Sequence, residues 1–170
     1  MPRPKVCVIM RKIKNPWTDK PGYKCFGCSP NNEHGVKMTF YEDGDEVVCF
    51  WKPDECFQGW IDTMHGGIIS VMLDEIGAWV VLRKQQTTCV TSKLELKFMK
   101  PMKTTDPQFT LRAHLVEMRR NLAVVDAHIE NANGEICAQS HAVYFTFNKE
   151  KAAEMGFLGC ELEGDEMLPM

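Results

Sequence analysis

The sequence predicts an α+β fold in which an antiparallel sheet curls around one long buried helix. From Ile68 to Leu82 nearly every position is apolar, and His65-Gly66-Gly67 precedes this run as a glycine-rich helix start. A helix that is apolar on all sides is expected to be buried. Strand-like runs precede and follow it, and Asp43-Gly44-Asp45 and Asn133-Gly134 are hairpin signals.

Composition predicts one globular domain with a sizeable core, since 44% of the 170 residues are hydrophobic and 25% are charged. The net charge of −3 gives no reason to expect nucleic acid or a membrane surface as a partner. No apolar run reaches the roughly 18 residues of a transmembrane helix. The apolar part of residues 1–10 is too short for a signal peptide. We therefore expect a cytoplasmic protein.

The domain is expected at residues 23–148, between an N-terminal extension (1–22) that could include a short helical segment and an unassigned acidic tail (149–170). The central helix is expected to end near Lys84, and Pro53–Met64 is expected to be a loop. The predicted strands are Val36–Glu42, Glu46–Lys52, Thr87–Met99, Phe109–Arg119, Leu122–Glu130 and Ile136–Phe147.

Eight cysteines in a chain with an ample core are expected to be reduced thiols, and three of them (Cys49, Cys89, Cys137) lie in apolar or strand-like runs. The Cys25-x-x-Cys28 spacing could begin a zinc site with His34 as a third ligand. A structural zinc site normally has four ligands, and no second closely spaced pair follows. A packed loop without metal is therefore the preferred interpretation.

Asp74 is the anomaly of the central helix, because a carboxylate among apolar residues is costly to desolvate unless it is paired, protonated or used. Gly66 and Gly67 at the helix start would leave backbone N–H donors accessible. Such donors can stabilise an oxyanion, and a carboxylate with limited access to water can act as a base or a nucleophile.

The motifs around this helix resemble those of the hot-dog-fold thioesterases of the PaaI type. The resemblance rests on Phe57-Gln58-Gly59-Trp60-x-x-x-x-His65-Gly66-Gly67 followed by Leu73-Asp74-Glu75. Cys25-Phe26-Gly27-Cys28-x-x-x-Asn32-x-x-Gly35-Val36 resembles the loop that often opens this domain, and Lys97-Phe98-Met99-Lys100-Pro101 the strand end after the helix. The resemblance covers about residues 23–148.

The resemblance implies hydrolysis of acyl-CoA or acyl-carrier-protein thioesters. By similarity, Asp74 lies where the family keeps its catalytic carboxylate and Gly66 where a backbone N–H polarises the thioester carbonyl, with His65 beside it. Thr91 matches a hydroxyl that holds the attacking water in some members, and Gln58 falls near a glutamine that contacts the carbonyl in others. CoA would be part of the substrate, and no other cofactor and no metal is implied.

Four more residues are candidates for substrate binding. Gly67 continues the donor-rich helix start, and Glu75 could lie at the pocket rim or be structural. Lys97 and Lys100 could bind the CoA phosphates, although a solvated sheet edge is an equal alternative for both.

The spacing of His65 and Asp74 argues for a homo-oligomer. Nine positions correspond to about 13 Å and two and a half turns of helix, so the two side chains point to opposite sides. Two antiparallel copies could bring each Asp74 to the other's helix N-terminus, which predicts a dimer or a tetramer.

Other functions remain open on the sequence alone. A non-enzymatic acyl-CoA binder on the same fold is the main alternative, because a fold does not fix a function. A hydratase or dehydratase is disfavoured because its motif is not found. A zinc-linked interaction module on Cys25 and Cys28 is the remaining alternative.

Overall fold

The computed structural model describes residues 9–164 and confirms the α+β architecture, a seven-stranded antiparallel sheet wrapped around one long helix. The elements are β1 (Arg11–Lys12), β2 (Tyr41–Asp43), β3 (Glu46–Trp51), β4 (Gln58–Trp60), β5 (Thr63–Met64), α1 (Gly66–Val80), β6 (Cys89–Phe98), β7 (Phe109–Arg119), β8 (Leu122–Glu130), β9 (Ile136–Thr146) and α2 (Lys149–Glu154).

The large sheet has the strand order β1-β2-β3-β7-β8-β9-β6, so β6, the strand that follows the central helix, is an edge strand. The hairpin β4–β5 forms a separate small sheet directly before α1. The pairing of β6 with β9 shifts between Thr91 and Lys93. This irregularity matters because it sets which face of the sheet each β6 side chain occupies.

Helix α1 is buried as predicted, and its side chains Met72, Leu73, Ile76 and Val80 are inaccessible to solvent. The helix continues into a π-helical turn, Val81–Gln85, which agrees with the predicted end near Lys84. In this turn Arg83 donates from Nε to the Glu42 carboxylate at 2.8 Å and so ties the helix end to β2.

Two local predictions were wrong. Of the predicted strand Val36–Glu42, only its last part belongs to the sheet (β2), because the preceding segment bonds to a loop: Val36 N donates to Phe26 O and Met38 N to Gly27 O, both at 2.8 Å. The predicted loop Pro53–Met64 contains the hairpin β4–β5.

The two chain ends pack together on the domain. The expected helical segment is not found in residues 9–22, where the chain instead forms β1 and turns. Ile13 bridges to Leu162, and the rings of Trp17 and Phe157 lie 5.7 Å apart between centroids. Expectations about residues 1–8 and 165–170, including the signal peptide and Cys7, fall outside the described residues. No described helix is long and apolar enough to cross a membrane.

Candidate active site

His65 caps the N-terminus of α1. Its extended backbone (φ −69°, ψ 131°) lets the ring turn back, so that Nδ1 accepts a hydrogen bond from Gly67 N at 2.8 Å. A Cβ on Gly67 would lie 2.9 Å from the same Nδ1, which explains the glycine. Because Nδ1 accepts here, the neutral ring carries its proton on Nε2 and presents a second donor outward.

Gly66 is the first residue of α1 and offers the exposed backbone donor that the sequence predicted. Its N–H has no hydrogen-bond partner within the described part of the chain, as expected for a first-turn amide. A Cβ on Gly66 would meet the Phe98 ring at an ordinary 3.8 Å, so the position is open enough for a ligand to approach.

The hairpin β4–β5 brings Gln58 to the same helix end. A pocket of about 330 Å³ lies here, lined by Cys56, Phe57, Gln58, His65, Gly67, Ile68 and Val71. His65 N also donates to Phe57 O at 2.9 Å, which fixes the hairpin against the helix start. Three of the predicted site residues, Gln58, His65 and Gly67, thus share one pocket with an apolar wall.

Asp74 and Thr91 form a second group, further along α1. The Thr91 hydroxyl donates to Asp74 Oδ1 at 2.8 Å, which leaves Oδ2 available, and the Asp74 side chain is only partly buried. The register of β6 explains the contact, because Thr91 pairs with Tyr144, whose side chain faces α1. A hydroxyl that donates to a carboxylate keeps its lone pairs free to accept from water.

Tyr144 fixes the helix backbone at Asp74, a role that no local sequence pattern predicts. Its buried hydroxyl donates to the Asp74 carbonyl oxygen at 2.8 Å. Gly77 makes room, since a Cβ there would lie 2.1 Å from that hydroxyl oxygen. Burial and the nearby Asp74 charge raise the pKa of Tyr144, which therefore remains a neutral donor.

Glu75 lies on a different side of α1 from Asp74, against the loop that carries Cys25 and Cys28. Its Oε1 accepts from Trp79 Nε1 at 3.1 Å and from the Cys25 thiol at 3.4 Å. Burial, and secondly the charge of Cys25, raise the pKa of Glu75 to about 7. The structure therefore does not bring Glu75 to the pocket at the helix N-terminus.

The pKa values of the two thiols of this loop, Cys25 and Cys28, are strongly shifted in opposite directions. A hydrogen bond from the Cys28 thiol, with smaller contributions from backbone amides, lowers the pKa of Cys25 to about 5 against the opposing effect of burial. The same hydrogen bond and burial raise the pKa of Cys28. His34, the third ligand considered from the sequence, is exposed and lies outside the group that Cys25, Cys28 and Glu75 form.

Lys97 and Lys100, the two lysines considered for phosphate binding, belong to neither of the two groups around α1. Lys97 pairs with Gln139 across the β6–β9 ladder and, with it, lines a groove on the sheet. Lys100 forms an ion pair with Glu135. Both residues nevertheless flank Phe98, whose ring lies against Gly66.

One chain thus contains two separated half-sites: the donor end of α1, with Gln58, His65 and Gly66, and the carboxylate group of Asp74 and Thr91. Eight positions of helix place Gly66 and Asp74 about 12 Å apart along the axis. A single carbonyl group is too small to contact both.

Comparison with known proteins agrees with this architecture. Residues 62–138, which run from the start of β5 to β9, match the family model of the thioesterase superfamily. The match covers 77 of the 170 residues, and a solved thioesterase-superfamily structure shares the hot-dog fold with this chain. The matched residues include α1 and both half-sites except Gln58. A Thermoplasma acidophilum protein named "Putative esterase" is 30% identical over 87 residues, 51% of this chain and 64% of its own length.

Solved structures share the hot-dog fold at low sequence identity. A hypothetical thioesterase protein of Streptococcus pneumoniae, solved with coenzyme A, has a TM-score of 0.58 and 23% identity over 61% of this chain and 82% of its own. A Streptococcus mutans protein bound to acetyl-CoA has a TM-score of 0.61 and 19% identity over 66% and 90%. The chain spans 57–64% of the length of the curated relatives it matches.

Proposed function

We propose that this protein hydrolyses an acyl-CoA thioester, or an acyl-carrier-protein thioester, to a free acid and a thiol. One observation carries the proposal: a carboxylate on the central helix of a hot-dog domain, Asp74, is only partly buried and is held by the Thr91 hydroxyl with one oxygen left free. The CoA and acetyl-CoA in the two streptococcal structures support this substrate class.

In the proposed reaction the thioester carbonyl oxygen accepts a hydrogen bond from Gly66 N–H, which strengthens as negative charge develops on that oxygen. Asp74 either takes a proton from a water molecule that donates to the Thr91 oxygen and attacks the carbonyl carbon, or attacks that carbon itself to form an anhydride that water then hydrolyses. The Nε2 proton of His65 and the amide of Gln58 lie near the same helix end and would orient the acyl group. The thiol leaves in either case.

We further propose that the complete site forms between two copies of the chain. The half-sites are too far apart within one chain, and β6 is an edge strand with exposed apolar residues, Val90 (50% exposed) and Phe98 (53%). Exposed edges of this kind favour pairing with another strand. Antiparallel pairing of two β6 strands would set the α1 helices antiparallel, so that each Asp74 faces the partner's helix N-terminus.

The CoA moiety would then lie along the β6 end of the pocket. Phe57, Ile68 and Val71 give the pocket an apolar wall suited to the acyl chain. The ammonium groups of Lys97 and Lys100 would contact the CoA phosphates, and Lys100 would exchange Glu135 for a phosphate group on binding.

The test is hydrolysis of a panel of acyl-CoAs by wild type, Asp74→Asn and Asp74→Ala, with Asp45→Asn in the exposed β2–β3 turn as the matched control. We expect wild type and the control to turn over one acyl class and both Asp74 variants to lose at least about 100-fold, or about 2.7 kcal/mol of barrier. A wild type that binds acyl-CoA without hydrolysing any panel member would show a binding protein. Full activity of both Asp74 variants would rule out a catalytic role for this carboxylate.

A further inference from the structure

We propose that Cys25, Cys28 and Glu75 bind a zinc ion that fastens the N-terminal loop to helix α1. This site is independent of the proposed hydrolysis. The two sulfur atoms and a Glu75 carboxylate oxygen all lie within 4.8 Å of one another, although Glu75 is 50 positions away from Cys25 in the sequence.

The distances within this group suit a small tetrahedral ion. With Zn–S near 2.3 Å and Zn–O near 2.0 Å, the ligand atoms of a tetrahedral site lie about 3.5–3.8 Å apart. Cys25 Sγ is 3.4 Å from Glu75 Oε1 and 3.1 Å from Cys28 Sγ. Small rotations of the two thiol side chains would complete the geometry, with water or the Tyr23 hydroxyl in the fourth position.

The charges of the group also call for a cation. The hydrogen-bond partners of Glu75 in residues 9–164 are the Cys25 thiol and the Trp79 indole, and no lysine or arginine is among them. Two thiolates and a carboxylate gathered in one largely buried group would repel one another unless positive charge is supplied. A divalent ion with affinity for thiolate and carboxylate meets that need.

The surrounding residues hold the three groups in place. Cys28 N donates to Cys25 Sγ at 3.4 Å, and the Tyr23 hydroxyl contacts Cys28 Sγ at 2.8 Å. Trp79 orients the Glu75 carboxylate through its indole N–H. Supporting contacts of this kind orient metal ligands in proteins.

Gly27 completes the arrangement, because a Cβ there would lie 2.5 Å from the Glu75 carboxylate carbon. The glycine lets the Cys-x-x-Cys turn close over the carboxylate. From the sequence, His34 was the candidate third ligand and a packed loop without metal the preferred interpretation. The folded chain offers Glu75 instead, which sequence spacing does not reveal.

The test uses the full chain, kept reduced, freed of metal and titrated with Co²⁺ as a spectroscopic substitute for zinc, together with the zinc content of the purified protein. We expect about one zinc per chain and a thiolate-to-cobalt charge-transfer band that Zn²⁺ abolishes. The variants are Cys25→Ser and the isosteric Glu75→Gln, with His34→Ala and the exposed Cys56→Ser as controls.

Both cluster variants should bind Co²⁺ at least about tenfold more weakly while the two controls match wild type. Circular dichroism checks that each variant is folded, and Glu75→Gln keeps the test informative should Cys25→Ser not fold. Absence of the charge-transfer band in reduced wild type would overturn the proposal. So would unchanged affinity in folded Glu75→Gln, or an equal loss in either control. Zinc content and the cobalt band are read without any thioester, so their outcome does not depend on hydrolytic activity.

Discussion

The oxyanion role proposed for Gly66 can be tested by removing one N–H group with little other change. Gly66→Pro deletes the donor, and proline is accepted at the first position of a helix. The residue before a proline must be extended, and His65 already has φ −69° and ψ 131°. Gly66→Ala is the matched control, because it keeps the N–H and adds a Cβ that meets only the Phe98 ring at 3.8 Å.

The expected size of the effect follows from the number of donors lost. Removing one preformed oxyanion donor typically lowers kcat by about 10²–10³, or about 2.7–4 kcal/mol. The His65 ring and the Gly67 amide are engaged with each other in the cap, so Gly67 N–H is not free to replace the lost donor. We therefore expect Gly66→Pro to lose about 100-fold or more in kcat, while Gly66→Ala stays near wild type.

The assay should follow the loss of thioester absorbance directly, since a thiol reagent would also react with the exposed Cys56. Thermal unfolding of both variants checks that the helix start is preserved. Equal kcat/KM for the proline and alanine variants would refute the oxyanion role of Gly66. Equal large losses in both would show that a Cβ at this position, and not the missing N–H, blocks the substrate.

Three further predictions concern the carboxylate half-site. Thr91→Val should lower kcat by about 10- to 100-fold, because it removes the hydrogen bond to the charged Asp74 carboxylate. Thr91→Ser should stay close to wild type in steady-state kinetics. Equal kcat in the two variants would contradict this prediction. Gly77→Ala should lower the free energy of unfolding in urea by about 1–3 kcal/mol, because its Cβ would meet the Tyr144 hydroxyl. The double variant with Tyr144→Phe should lose less stability than the sum of the two single losses. Strictly additive losses would argue against that clash. Mixing Asp74→Asn chains with Gly66→Pro chains should recover about a quarter of wild-type activity. Half of the randomly formed dimers contain one chain of each kind, and each such dimer keeps one intact site out of two. No recovery would mean that Asp74 and Gly66 of the same chain form the site.

Much of the fold followed from local patterns. The bounds of strands β7 and β8 were predicted as the structure has them. The alternation of apolar and polar residues and the short turn between the two strands together restrict how they can pair. Val36, Met38 and Phe40 also alternate and are buried, but the backbone N–H groups of Val36 and Met38 bond to a loop. The alternation was therefore predicted correctly and the strand was not. The periodicity of apolar residues indicates which side chains are buried, but not which segment their backbone groups bond to.

The clustering of the candidate site residues was predictable where they are close in sequence. His65, Gly66 and Gly67 form one helix start, and the hairpin before it carries Gln58 to the same end. The contact of Tyr144 with the Asp74 backbone joins positions 70 apart. It depends on sheet curvature and on the space left by a glycine, neither of which has a local signal.

The adjacent carboxylates of Asp74 and Glu75 show how structure separates two roles that sequence leaves ambiguous. Neighbouring residues on a helix point about 100° apart, so one faces β6 and the other faces the loop of Cys25 and Cys28. Glu75 has a protonation state tied to two thiols, and both its indole and thiol partners are buried or partly buried. A base must meet water and keep a free lone pair, and the partly buried Asp74 carboxylate, held at Oδ1 by Thr91, meets both conditions better than Glu75. In the proposed mechanism Asp74 is therefore the catalytic carboxylate, and Glu75 contacts the loop of Cys25 and Cys28.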